Sequence, residues 1–410
     1  MELGFLGPLF EHRGPWASVY FDTTTASEDA AARQELTARS VSDHLERQGA
    51  DEATRRAVYD HLVALPRGAQ PPGRAVFATD GEVVLDTELT VQPPGGGQPL
   101  ATWQALPRLA PLLELGDGDP ACLVAYIDRT GAEFELRGSL GSQAAGRVTG
   151  SDWPVHRTPS GDWSERHFQT AVENTWEQNA EEIADELRKR RDKSGAQVVV
   201  LAGDARERNA VHDRLPPDLR ERTVKAEHGV RDDRGPDGPA SNTARGRELL
   251  DEEIAQARAE YGRARTAKAL ERFQAGRAPT EEGRIDAAET VPALVEAARE
   301  HRIALLLVRP EGGDLNHEVW VGDEPDQLAV RRTESQYLGA DDPAEARADD
   351  ALLRSAAVTG AEVLCVRASD VPEGVPEGLP EGGFGALLRW PYEGAPEGGG
   401  AGGGQHAARE

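Results

Sequence analysis

Two short stretches of this 410-residue chain hold the residues best suited to chemistry. Gly161-Asp162-Trp163-Ser164 stands at the head of a long run of helical periodicity, with Arg166 one turn further in. Ser164 is placed to cap the backbone N–H groups of a helix start, and Gly161 lets the chain bend before it. Such a start attracts phosphate, and an indole beside it can stack on a base. Trp163 can equally pack back onto Phe168 as a hydrophobic staple. Near the far end of the same helix lies the densest basic run of the chain, Arg188-Lys189-Arg190-Arg191 followed by Lys193. It suits contacts with an RNA backbone, which position a protein without reading sequence. It also complements the C-terminal end of a helix dipole with no ligand at all.

Other chemistries find little support. The ten histidines are scattered, with no pair at helical spacing around a glutamate and no Cys/His cluster of zinc-ligand spacing, so no metal site is expected. A Gly-x-Ser-x-Gly elbow and a complete phosphate loop are both missing, which argues against a serine hydrolase and an NTPase. Gly95 to Gly97 read as spacer, because no helix start with Lys-Ser/Thr follows them. No catalytic residue and no cofactor are assigned.

The elements needed to hold these stretches in place read as α/β. Trp16 to Phe21 has strand composition, and helices are expected over 28–47, with Leu36, Val41 and Leu45 on one face, and over 52–65. Arg74 to Ala78 and Glu82 to Asp86 flank Thr79-Asp80-Gly81 as a hairpin. Ala121 to Ile127 is nearly continuous apolar, an interior strand that turns through Asp128-Arg129-Thr130-Gly131 into Ala132 to Arg137. A Gly-rich passage follows, with Gly141-Ser142-Gln143 read as plain loop. Ser164 to about Lys193 then forms the long helix, its stripe made of Phe168, Val172, Trp176, Ala180, Ile183 and Leu187. Residues 196–203 are a core strand and 204–211 a short helix. Residues 229–242 read as a mobile loop, and 244–275 as a long polar helix. Last come helix 286–299, strands 303–308 and 318–321, helix 343–357, strand 362–366 and a closing strand 384–390. The Gly-rich tail beyond Tyr392 has no composition for a core.

A chain of this length is expected to divide into two or three domains. Its formal net charge of -26 repels bulk nucleic acid, so any RNA contact has to be local, and DNA is not an expected partner. Lysine occurs only at 189, 193, 225 and 268, leaving nearly all positive charge to arginine. Cys122 and Cys365 each sit within an apolar run and read as buried thiols of a reducing compartment. Without a signal peptide or a span-length apolar window, a soluble cytoplasmic protein is expected.

The chain resembles the bacterial archaeo-eukaryotic-type release factor family, actinobacterial branch, related to domains of eukaryotic release factor one, Pelota and the Balon-type hibernation factors. The resemblance rests on Gly14 to Tyr20, Asp128 to Ala132, Trp163 to Asn179 and Gly383 to Trp390. It implies a three-domain architecture: a divergent N-terminal α/β domain over 1–118, a release-factor middle domain with a mixed sheet over 119–276, an L7Ae-like α/β/α domain over 277–392, and a tail over 393–410. In active members the middle domain presents Gly-Gly-Gln before a long helix. Aligned on Ser164 and Phe168, those three positions hold Gly161, Asp162 and Trp163, a degenerate release loop. Asp162 adds bulk and negative charge where a permissive backbone is needed, and Trp163 lacks the paired donor and acceptor of an amide. Members of this branch usually show Gly-Gly-Trp, so Asp162 departs from the nearer pattern too.

The resemblance therefore implies a non-catalytic factor that binds near the ribosomal A site in hibernation or stress. Its partners would be A-site rRNA and an elongation factor, with no membrane involved. Two other functions stay open: a peptidyl-tRNA hydrolase or release/rescue factor, and a regulatory interaction protein that has lost the ribosome.

Overall fold

A computed structural model describes residues 4–23, 30–66, 72–89, 91–93, 97–115, 120–128, 131–138, 141–149, 162–228, 240–281, 283–367 and 378–393; side chains of 4–5, 30, 114, 162–176, 240–244 and 392–393 lie outside the description. The chain divides into two compact units, Glu11–Thr266 and Ala267–Glu410, the second also taking Glu2–Phe10.

The first unit opens with a sheet of order β3-β2-β1-β4, made of β1 (Trp16–Asp22), β2 (Gly73–Thr79), β3 (Glu82–Leu89) and β4 (Leu100–Gln104). Between β1 and β2 run α1 (Ala30–Arg47) and α2 (Glu52–Ala64), the latter capped by Asp51, whose carboxylate accepts from the Thr54 N–H at 2.8 Å. Val41, Leu45, Val58 and Leu62 of these helices pack on Val19 and Val76. Leu36 is 63% exposed instead, so it lies outside the apolar stripe. Asp80 and Gly81 both have positive φ, 48° and 79°, the conformation that lets a two-residue hairpin follow the strand twist. α3 (Ala110–Leu115) follows β4.

The second sheet has the order β7-β6-β5-β8-β9. Its strands are β5 (Cys122–Asp128), β6 (Gly131–Gly138), β7 (Gly141–Thr149), β8 (Val198–Gly203) and β9 (Thr223–Lys225). β5 pairs antiparallel with β6 and parallel with β8. The continuous apolar run of β5 is explained by cover on both faces. Leu123, Ala125 and Ile127 face Ala180, Ile183 and Leu187 of α4 (Asp162–Ser194) and Val211 of α5 (Ala205–Arg214). Cys122 and Val124 face Leu250, Ile254 and Ala257 of α7 (Ala240–Arg277). The short α6 (Pro217–Arg220) precedes β9. Gly141-Ser142-Gln143, expected as loop, opens a strand instead: small side chains hid the alternation of β7, but Ala145 and Val148 pack on the core.

The second unit holds a sheet of order β10-β16-β11-β15, from β10 (Arg284–Ala288), β11 (Ile303–Val308), β15 (Glu362–Cys365) and β16 (Phe384–Glu393). A three-stranded sheet β13-β12-β14 is built from β12 (Glu318–Val321), β13 (Leu328–Ala329) and β14 (Ala344–Arg347). The helices are α8 (Val291–Arg299), α9 (Arg332–Tyr337) and α10 (Ala348–Thr359). Two helices expected from sequence start too early. Residues 284–288 pair with β16, and Pro292 suits the first turn of α8; residues 344–347 pair with β12 before α10 begins. Strand pairing outweighed the helical propensity of the alanines there. Leu6 and Leu9, from a 3-10 turn over Gly4–Phe10, are buried in this unit. Cys122 is buried as expected, whereas Cys365 is only half-buried.

Residues 229–239, most of the expected mobile loop, and the tail from 394 on lie outside the described residues.

Candidate nucleic-acid interface

α4 begins at Asp162, so Asp162, Trp163, Ser164 and Arg166 belong to its backbone and Ser164 is not the residue before the helix. Gly161 and the side chains of Asp162, Trp163, Ser164 and Arg166 lie outside the described residues.

The other end of α4 is fully described. Within residues 185–193, five cations are interleaved with three carboxylates, so the local basic excess is small. Arg188 meets Asp185 at 3.3 Å, Lys189 meets Glu186 at 3.7 Å, Arg190 meets Glu186 at 2.8 Å and Arg191 meets Asp192 at 3.1 Å. Surface pairs of this kind exchange readily with water and with a competing phosphate.

The run splits by role. Arg190 is half-buried: its guanidinium lies 4.6 Å from the centre of the Phe134 ring on β6 and donates to the carbonyls of Ala145 and Arg147 on β7. Gly146, at φ 101°, has no Cβ where that guanidinium sits. Arg191, also half-buried, donates from Nε to the Ala196 carbonyl at 3.2 Å and helps close the turn into β8. Arg188, Lys189 and Lys193 are exposed. The run therefore uses two of its five cations as structural pins and presents three to solvent.

Sequence reasoning missed Arg147. It stands exposed on β7 beside Arg190 and pairs with Glu133 on β6. The signal was weak because it lay in a Gly-rich passage. Gln143, two residues into the same strand, is exposed at an edge and opposite Leu136.

On the face of the sheet away from Phe134 and Arg190, the face that Glu133 and Arg147 share, Arg137 donates to the Tyr126 hydroxyl at 2.9 Å, to Glu135 at 3.1 Å and to Asp251 of α7 at 2.6 Å. The Tyr126 hydroxyl donates to Glu135 at 2.8 Å. Burial, reinforced by that carboxylate, pushes the Tyr126 phenol up to about 12. Burial likewise raises the Cys122 thiol to about 12, so the cysteine stays protonated and inert. This cluster joins sheet to helix.

No group of three or more His, Cys, Asp or Glu able to hold a metal occurs among the described residues. No helix of the described residues is long and apolar enough to cross a membrane. In the second unit a cavity of about 380 Å³ is lined by Ile285, Ala287, Thr290 and Leu388 together with two arginines. Both are held by carboxylates, Arg277 by Glu289 at 2.9 Å and Arg302 by Glu300 at 2.5 Å.

Over 365 residues, 87% of this chain and 90% of the relative, the chain is 29% identical to protein Rv2629 of Mycobacterium tuberculosis strain H37Rv, and equally to MT2704 of strain CDC 1551. Among solved structures it is similar to Saccharomyces cerevisiae Dom34, a translation termination-like factor, at 13% identity and a TM-score of 0.37, covering 80% of this chain and 77% of that one. It is also similar to the archaeal termination factor aRF1, at 16% identity and a TM-score of 0.23, covering 94% and 96%. Residues 121–279, which comprise the β5 to β9 sheet with α4 and all of α7, match the model of bacterial archaeo-eukaryotic release factor family 2. Over that domain the chain is similar to the bacterial archaeo-eukaryotic release factors.

Proposed function

We infer that the protein is a ribosome-associated, non-catalytic factor that binds near the A site, in hibernation or stress. The observation that carries this reading is the match of residues 121–279 to a release-factor family in a chain whose Gly-Gly-Gln position holds Gly161-Asp162-Trp163. A ligand of that kind can occupy the site of a release factor without an amide to assist water on the ester. Arg188, Lys189 and Lys193 are the exposed cations of α4 best suited to rRNA phosphate, with Trp163 and Arg166 at its other end. An elongation factor is the second expected partner.

Co-sedimentation with 70S ribosomes from starved and growing cells tests the reading. The variant to compare is Arg188→Glu/Lys189→Glu/Lys193→Glu, which spares the structural pins Arg190 and Arg191. Loss of pelleting in the variant supports the basic surface; unchanged pelleting removes that surface from the interface. No pelleting of the intact protein in either state overturns the ribosomal reading itself.

A further inference from the structure

The three-stranded sheet of the second unit has two faces of opposite character. Val319 and Val321 of β12 are buried, while Glu318 and Trp320 alternate to the other side. The register sets Glu345 of β14 opposite Trp320 and Arg347 opposite Glu318, so the outward face carries Glu318, Trp320, Glu345 and Arg347. α9 starts over this face: the Arg332 guanidinium stands 5.3 Å from the centre of the Trp320 ring. The helix ends at Tyr337 and Leu338, which are 92% and 37% exposed. A tyrosine normally contributes by burying its ring, so one held almost wholly in water is an aromatic contact without its other half.

Carboxylates surround these rings. Between residues 318 and 347 there are eight acidic side chains against three arginines. Asp323, Glu324 and Asp326 are exposed in the turn between β12 and β13, and Asp341 and Asp342 are exposed just after Tyr337. Such a field repels phosphate and draws cations. Arg332 on Trp320 shows the chemistry the indole face accepts, a planar guanidinium.

We propose that the surface around α9, from Trp320 beside its start to Tyr337 at its end, docks an arginine-rich polypeptide segment. An incoming guanidinium stacks on Tyr337 or replaces Arg332 on Trp320, and neighbouring cations pair with Asp341 and, in place of Arg332, with Asp342, which Arg332 meets at 3.6 Å. RNA is the wrong partner here because its phosphates meet carboxylates. The surface is built from other elements than α4, and its role holds whether or not the chain meets a ribosome.

Fluorescence anisotropy of a labelled peptide of alternating arginine and glycine, titrated with the full chain, tests the proposal. Tyr337→Ala leaves the charge unchanged, and Asp341→Lys/Asp342→Lys reverses it locally. As a control, Asp43→Lys/Asp60→Lys makes the same charge change on exposed positions of α1 and α2. Binding is expected to weaken roughly tenfold in both patch variants and less than about twofold in the control. Thermal unfolding checks that each variant is folded. Equal weakening in the control, or no change with Tyr337→Ala, overturns the proposal, since the peptide is then reading only net charge. Tighter binding of single-stranded RNA to the same face, or self-association of the chain abolished by Tyr337→Ala, overturns it in favour of another occupant.

Discussion

The Arg190 guanidinium occupies the space a side chain at Gly146 would need, and from there it reaches the Ala145 and Arg147 carbonyls while covering the Phe134 ring. One arginine of a basic run is thus the pin that fastens edge strand β7 to helix α4.

Gly146→Ala should destabilise the first unit by about 1–2 kcal/mol, because φ is positive there and the new methyl displaces the guanidinium. Urea unfolding followed by circular dichroism measures it. In an Arg190→Ala background the steric part should vanish, leaving only the backbone cost. Full additivity of the two substitutions would show that the residues do not act as a pair.

Arg188→Glu/Lys189→Glu/Lys193→Glu should change unfolding midpoints little, since all three residues are exposed and two of them make only surface pairs. Arg190→Glu should lower the midpoint clearly. If ribosome binding follows the proposed contacts, its salt slope should flatten by about 0.7 for each rRNA phosphate that the variant no longer neutralises. A slope unaltered by the triple change would place the RNA interface elsewhere.

Removing Arg137 should be costly. Arg137→Met leaves Glu135 and Tyr126 of a partly buried network without their shared cation, an expected loss of about 2–4 kcal/mol. Changing Glu135→Leu as well should recover much of that loss in chemical denaturation. Destabilisation that simply sums would contradict the network.

Stability should decline in alkaline solution. The Cys122 thiol is raised from an ordinary 9.0 to about 12 in the folded chain, so between those values the native state holds a proton that the unfolded state gives up. The sign is a loss of stability as pH rises from 9 towards 12, at most about 1.4 kcal/mol per pH unit for this thiol. Tyr126 shifts in the same direction. Cys122→Ala should flatten that slope in unfolding curves taken at rising pH, and thiol reagents should label Cys122 only after unfolding.

By itself the sequence determined what depends on local pattern. The apolar runs of β5, β8 and β11 are strands, Asp80-Gly81 turns a hairpin, and Ala180, Ile183 and Leu187 form the buried stripe of α4, because period and turn chemistry are written in neighbouring residues. The acidic net charge was legible from composition alone. Tertiary structure decided what depends on residues far apart in the chain. Residues 284–288 and 344–347 are strands because β16 and β12 pair with them, and Gly141–Thr149 is a strand because β6 and the core lie beside it. The basic run looks uniform in sequence; only Phe134, Ala145 and Ala196, brought in from other strands and turns, separate the pins Arg190 and Arg191 from the exposed Arg188, Lys189 and Lys193. A charge is free to meet a partner only when the fold has left it unengaged, and that is fixed by packing rather than by composition.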